Sequence, residues 1–215
     1  EIEGWVVDGD GALFTAEMLM RARGGLGDGA LERVVVAVDP PAGLGQSPEG
    51  AACGIVIAGR YAGSGGDRFR VLGDWTLAGL SPVGWARRAL EAARAFAADA
   101  VVAEVNQGGE MVRTLLKLAA EERAAEDRGF APPIELVHAS RSKTERAMPV
   151  AALYEQGRVA HGRELRALEE ELMALHEDAG AGQRLASIRL DRADALVWAL
   201  TALSRRRPPP RVGVA

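Results

Sequence analysis

The sequence has one cysteine and three histidines in 215 residues. A single thiol excludes an internal disulfide, and Cys53, set inside an apolar run, reads as a small core residue. Lysine is scarce as well: Lys117 and Lys143 are the only two, so positive charge is carried almost wholly by arginine. The formal net charge is −4 with a pI near 5.5, which excludes a protein that holds nucleic acid by bulk charge alone. No apolar run reaches the ~20 residues needed to cross a bilayer, and no signal-peptide pattern opens the chain. A cytoplasmic protein without membrane contact is the expectation.

What is present suits one globular domain: 48% of residues are hydrophobic and 26% charged. Residues 1–32 hold several glycines around one amphipathic piece, Thr15 to Arg23, and read as a linker or docking segment. The chain opens at Glu1 without a methionine, so a fragment of a longer protein is expected. The tail from Arg205 to Ala215, RRRPPPRVGVA, is basic and proline-rich and is expected to be disordered.

Between them, the run RVVVAVD from Arg33 to Asp39 reads as a strand covered on both faces. Pro40 and Pro41 end it, which leaves Asp39 at its carboxyl edge. Ala51 to Tyr61 and Arg68 to Thr76 return as second and third strands across the turn signal GSGGD, giving an antiparallel meander. Ser81 and Pro82 open a helix that runs to about Ala98. Ala100 to Glu104, AVVAE, is a second buried strand ending in a carboxylate. A helix from Glu110 to about Asp127 and a strand from Ile134 to His138 follow.

Ser142 and Glu145 match a capping box for a helix beginning at Lys143 and ending near Gly157. Val159 to Leu165 reads as a short connection before a helix carrying Leu165, Leu168, Leu172 and Leu175. Gln183 to Leu190 reads as a short strand or mobile hairpin, and Asp191 to about Ser204 as the last helix. The fold class is therefore α/β: a mixed central sheet, antiparallel meander plus parallel strands, with helices on both faces.

Chemistry concentrates at strand ends, the edge where open α/β sheets bind ligands. Asp39 and Glu104 on neighbouring parallel strands would repel unless a cation lies between them or one is protonated. Asp194 is expected to join them, because Asp191, Asp194, Ala195, Trp198 and Ala202 share one helix face that continues apolar and so points inward. Hard oxygen donors with little histidine or cysteine favour magnesium or manganese over zinc. The plain alternative is that each strand-end acid caps a turn. Asp191 can equally be the helix N-cap, with Asp194 closing the box, or a metal ligand.

Lys143 at a helix N-terminus opposes the macrodipole at a cost of ~0.3–1 kcal/mol, which predicts a compensating anion: the carboxylates or a substrate phosphate. Arg141 and Arg146 flank it on either side. Asn106, Gln107, Gly108 and Gly109 beside Glu104 offer amides and close backbone approach suited to phosphate or sugar contacts, or simply shape a turn. His138, His161 and His176 read as structural or exposed. Trp5, Trp75 and Trp85 read as packing residues rather than a base-stacking platform.

At these residues the chain resembles the C-terminal nuclease domain of the large terminase subunit of tailed phages and gene transfer agents. The resemblance rests on VAVDPP (Val36 to Pro41), AEVNQGG (Ala103 to Gly109), SKTERAMPVAALYEQGRV (Ser142 to Val159) and LDRADALVWAL (Leu190 to Leu200), in this order and spacing. It implies an RNase H-like fold over 33–204 and endonucleolytic cutting of double-stranded DNA by two magnesium or manganese ions. Asp39, Glu104 and Asp194 would be the metal ligands, with Asp191 at a neighbouring position where members vary, and Lys143 falls in the family's basic motif. From the residues themselves, Asp191 is a further candidate ligand and Lys143 a candidate catalytic cation. Arg141, Arg146, Asn106, Gln107 and Gly108 would contact DNA.

Family members usually join this domain to an N-terminal packaging ATPase, and work with portal and small terminase proteins. This chain carries no GxxxxGK[ST] sequence, so residues 1–32 read as the remnant leading out of a missing motor. Two other readings stay open. One is a non-catalytic docking module for portal or small terminase, and the other is a junction-resolving nuclease.

Overall fold

The computed structural model describes residues 12–24, 29–41, 52–63, 66–105, 109–126, 132–162, 165–175 and 189–205. At its centre lies β1 (Arg33–Asp39), whose residues Val34 to Val38 are all buried, as an unbroken valine-rich run requires. It pairs antiparallel with β2 (Ala52–Gly63), which pairs antiparallel with β3 (Gly66–Asp74). On its other side β1 pairs parallel with β5 (Ala100–Glu104), and β5 with β6 (Ile134–Val137). β3 ends at Asp74, whose Oδ1 accepts from Thr76 N at 2.9 Å, and a two-residue strand, β4 (Leu77–Ala78), pairs with the start of β2.

The far edge holds a strand the sequence did not reveal. Val159 to His161, read as a connection, form β7, which pairs parallel with β3 in the register Phe69↔Val159 and Val71↔His161. Three residues are too few to show a period. The sheet order is thus β6-β5-β1-β2-β3-β7, with β4 beside β2.

Helices cover both faces, as read. On one face lie α2 (Pro82–Ala95) and α3 (Gly109–Glu126). Ser81 caps α2 by accepting from Gly84 N at 3.1 Å, with Pro82 at the first helical position. Trp85 is buried there, and Trp75 stands edge-on to Phe96 with ring centroids 6.1 Å apart, so both tryptophans pack. Trp5 and His176 lie outside the described residues.

On the other face lie α1 (Ala16–Gly24), α4 (Lys143–Glu155), α5 (Arg166–Met173) and α6 (Asp191–Ser204). The segment read as a linker or docking piece packs on the domain through Phe14 and Leu19, both fully buried. The capping box of α4 is formed: Ser142 Oγ accepts from Glu145 N at 3.2 Å, and Glu145 Oε2 accepts from Ser142 N at 2.9 Å. His138 is exposed. His161 is buried, its ring nitrogens 2.9 Å from Tyr154 Oη and 2.7 Å from Glu169 Oε1. Arg23 of α1 closes on the same Glu169, so this polar cluster ties α1, β7 and α5 together. Cys53 is buried, and burial pushes its thiol pKa well up, as befits a core residue.

The deepest helix is α6. From Ala193 to Leu203 every residue except Thr201 is buried, which no two-sided amphipathic pattern would produce. It crosses β2 at Gly54, where an added Cβ would stand 1.9 Å from the Asp191 carbonyl oxygen. Only glycine allows helix backbone to lie directly on strand backbone here.

Among the described residues, no helix is long and apolar enough to cross a membrane.

Candidate active site

Strand parity decides which way the acids face. In β1, Val35 and Ala37 belong to the core under α6, whereas Val34, Val36 and Val38 belong to the core under α2 and α3. Asp39 continues the first set. In β5, Ala100 and Val102 face α6 while Val101 and Ala103 face away, so Glu104 also continues the α6 set. The parallel register pairs Val38 with Ala103, which makes Asp39 and Glu104 neighbours at the carboxyl edge.

The third acid arrives from above. The β1–β2 register sets Asp39 opposite Gly54, the residue on which the first turn of α6 rests. Asp191 and Asp194 are in that turn, and Asp194 is only 5% exposed. Electrostatics agree with the placement. Burial, then the carboxylates of Asp194 and Glu104, push the Asp39 carboxyl well above the usual carboxylate range. Asp191 is raised chiefly by its own burial.

Asp191 is not a cap. The N-cap of α6 is Leu190, which makes no side-chain capping bond, and the exposed amides are taken from outside the helix. Glu171 of α5 accepts from Arg192 N at 2.7 Å and from Ala193 N at 3.1 Å, while its other oxygen accepts from Arg192 Nη1 at 2.7 Å. Arg192 is held further by Asp74 at 2.8 Å. With Glu171 doing the capping, Asp191 keeps a buried Oδ2 that has no hydrogen-bond partner. Nor does Asp194 close a box: its side chain turns to Lys143 and Arg146.

Those two cations meet the acids from α4. Lys143 Nζ forms an ion pair with Asp194 Oδ2, the compensating anion expected of a lysine at a helix N-terminus. Burial lowers the Lys143 pKa, but Asp194, helped by Asp39 and Asp191, outweighs it and holds the ammonium above its ordinary value. One turn on, Arg146 bridges two acids, with Nη1 3.4 Å from Glu104 and Nη2 3.3 Å from Asp194. Its guanidinium lies over the Trp198 ring, 4.9 Å from the centroid, and the Trp198 indole N–H donates to Glu104 Oε2. Arg141 lies at the exposed start of this region. Asn106, Gln107 and Gly108 fall outside the described residues.

The contacts of Arg146 and Trp198 with Glu104 were not visible in the sequence. The faint signal for the first was its one-turn spacing from Lys143, and for the second the inward face it shares with Asp194. Gly54 and Glu171 were missed altogether. A lone glycine inside the apolar run CGIVI was the available hint for Gly54; for Glu171 there was none.

As the side chains stand, no three His, Cys, Asp or Glu among the described residues enclose one metal position. Lys143 and Arg146 occupy Asp194 and Glu104 instead. The donor chemistry nevertheless fits a hard divalent cation. It is all carboxylate, Asp191 has an orphaned buried oxygen, and Asp39 is raised partly by the mutual repulsion that a cation would relieve. The Lys143 side chain is 55% exposed.

No curated protein matches the sequence. Among solved structures, the chain is similar to the nuclease domain of the large terminase subunit gp2 of bacterial virus Sf6. The TM-score is 0.64 at 17% identity, covering 88% of this chain and 98% of that one. A mutant of that domain has been solved with manganese. The manganese-soaked human cytomegalovirus terminase nuclease domain gives 0.56 at 13% identity, covering 88% and 95%. The HK97 bacteriophage large terminase gives 0.52 at 12%, covering 88% of this chain but 43% of that one. These likenesses establish the RNase H-like terminase fold. Residues 36–203 match the family described as Terminase RNaseH-like domain, to which this chain belongs.

Proposed function

We propose that the chain is a metal-dependent endonuclease domain that cuts double-stranded DNA with little sequence preference. The observation that carries this is the convergence of Asp39, Glu104 and Asp194 on one face of the sheet, at the edge where α6 rests on Gly54. Asp39, Glu104, Asp194 and Asp191 would hold two magnesium or manganese ions. When bound, such ions supply Lewis-acid stabilisation of the attacking and leaving oxygens of an in-line phosphodiester displacement. Manganese in the Sf6 and cytomegalovirus domains supports the choice of ion.

The residues of the chain supply the rest. Arg146 and the Trp198 indole hold Glu104 in one orientation, so the carboxylate does not reorganise when charge develops. Lys143, on a half-exposed side chain, exchanges Asp194 for a substrate phosphate and stabilises its charge. Asp39, whose carboxyl is raised by burial and by the neighbouring carboxylates, is the acid whose charge a bound cation would most relieve. Arg141 and Arg146, with Asn106, Gln107 and Gly108, are the proposed DNA contacts.

A net charge of −4 implies weak binding of DNA by the isolated chain. The proposal therefore includes a packaging ATPase domain in the full-length protein that holds DNA close, portal and small terminase as partners, and action in the host cytoplasm. The chain spans under half of the HK97 large terminase.

The test is nicking of supercoiled plasmid with manganese. Wild-type chain nicks, and Asp194→Asn loses on the order of 10³-fold in rate, as expected when several kcal/mol of metal-dependent stabilisation is removed. Wild-type cleavage by Asp194→Asn would overturn the assignment. Preference for a four-way junction over linear duplex would favour a junction resolvase, and inertness on every substrate a docking module.

A further inference from the structure

Beside the carboxylates lies a cavity of about 460 Å³, bounded by α4, α6 and the segment that follows β6. Arg146 and Trp198 line it while contacting Glu104, yet Glu104 and Asp194 do not line it themselves. The cavity therefore begins where the acid cluster ends. One part of its lining is charged: Arg141, Arg146 and Arg205, with the Glu145 carboxylate beside them already engaged by the Ser142 amide and hydroxyl. Another is apolar: Pro149, Val150 and Leu153. The Arg146 side chain is only 10% exposed, and its buried Nε has no hydrogen-bond partner. A buried donor without an acceptor is costly, so Glu104 and Asp194 satisfy this guanidinium only in part.

Cations alone would suit any phosphate, whereas an apolar wall beside them also suits a sugar and base. We infer that this cavity seats one unpaired nucleotide of the DNA strand adjoining the scissile phosphate. Its phosphate lies against Arg141, Arg146 and Arg205, and its ring against Pro149, Val150 and Leu153. A base inside a duplex is stacked and paired, so filling the cavity lifts one nucleotide out of the helix beside the cut. This deepens the proposed nuclease reading and rests on it. It names the strand's state at the site and adds Arg205 to the substrate contacts.

The test uses the whole chain in EDTA at low salt, titrated with a 5′-phosphorylated thymidine trinucleotide and followed by amide and indole NMR. Expected are saturable shifts at the Trp198 indole N–H and the Thr201 amide. Affinity should be about tenfold weaker in Arg141→Glu/Arg205→Glu, whose sites are exposed and whose melting should be unchanged. Thr201→Trp, which fills the half-buried lip, should weaken binding similarly. Equimolar inorganic phosphate should not displace the trinucleotide.

Absence of saturable binding, shifts confined elsewhere, unchanged affinity in both variants, or displacement by phosphate would each overturn the inference. No metal or cleavage enters this measurement. A chain that binds the trinucleotide but never nicks plasmid keeps the pocket and loses the nuclease reading; one that nicks but ignores the trinucleotide loses only the pocket.

Discussion

Replacing Gly54 by alanine tests how the third carboxylate is delivered. The new Cβ would stand 1.9 Å from the Asp191 carbonyl oxygen, 2.6 Å from its carbon and 3.2 Å from Ala195 Cβ. Ordinary contact starts near 3.5 Å, so α6 must retreat by roughly 1.5 Å. The two nearest atoms are backbone, and no rotamer change relieves the clash. Because α6 is buried along most of its length, the shift strains packing on every side. Overpacking of this kind costs typically about 1–3 kcal/mol, and contact with backbone places it at the upper end. For a chain of this size about 3 kcal/mol corresponds to a melting point lower by about 6–12 °C. The same retreat carries Asp191 and Asp194 away from Asp39, so manganese affinity by calorimetry should fall at least tenfold. A Gly54→Ala chain that melts within about 2 °C of wild type and binds manganese equally well would refute the reasoning.

Asp39→Asn should raise the melting point of metal-free protein at pH 7. A carboxyl held above its usual pKa favours the folded state only while protonated, so its contribution is lost as pH rises from the unfolded value, near 3.8, through the folded one. For the same reason wild-type manganese affinity should rise with pH, checked by calorimetry at two pH values. Glu169 has the opposite sign: its hydrogen bonds with His161 and Arg23 overcome burial and hold its pKa at about 2. Its contribution is full above pH 4.5 and is lost as pH falls toward 2. Glu169→Gln should destabilise by about 3 kcal/mol in urea melts at pH 7, since it leaves Arg23 and His161 facing a neutral partner. Lys143→Ala should cut plasmid nicking by about 10²-fold while lowering the melting point only slightly, because Arg146 still pairs with the buried Asp194.

The parts of this molecule that could be read from the sequence are those where burial writes a long pattern. The unbroken runs of β1 and β5 announced a sheet covered on both faces, and proline after Asp39 fixed the strand's end. Two-residue alternation then sets Asp39 and Glu104 on one face, a consequence available once both strands and their direction are known. Short or cross-chain devices were silent. β7 is too brief for a period. Glu171 caps α6 from another helix, and no local rule reports a cap 20 residues upstream, so the sequence left Asp191 open between helix cap and metal ligand. The Arg146 bridge depends on α4 and α6 facing each other, which only the tertiary packing determines.

The most direct test of the acid cluster is a crystal of the chain soaked in manganese and measured for anomalous scattering. Density bounded by Asp39, Glu104 and Asp194, with Lys143 moved off Asp194, is the predicted result. Manganese absent from that edge, or bound elsewhere while Lys143 keeps Asp194, would contradict it.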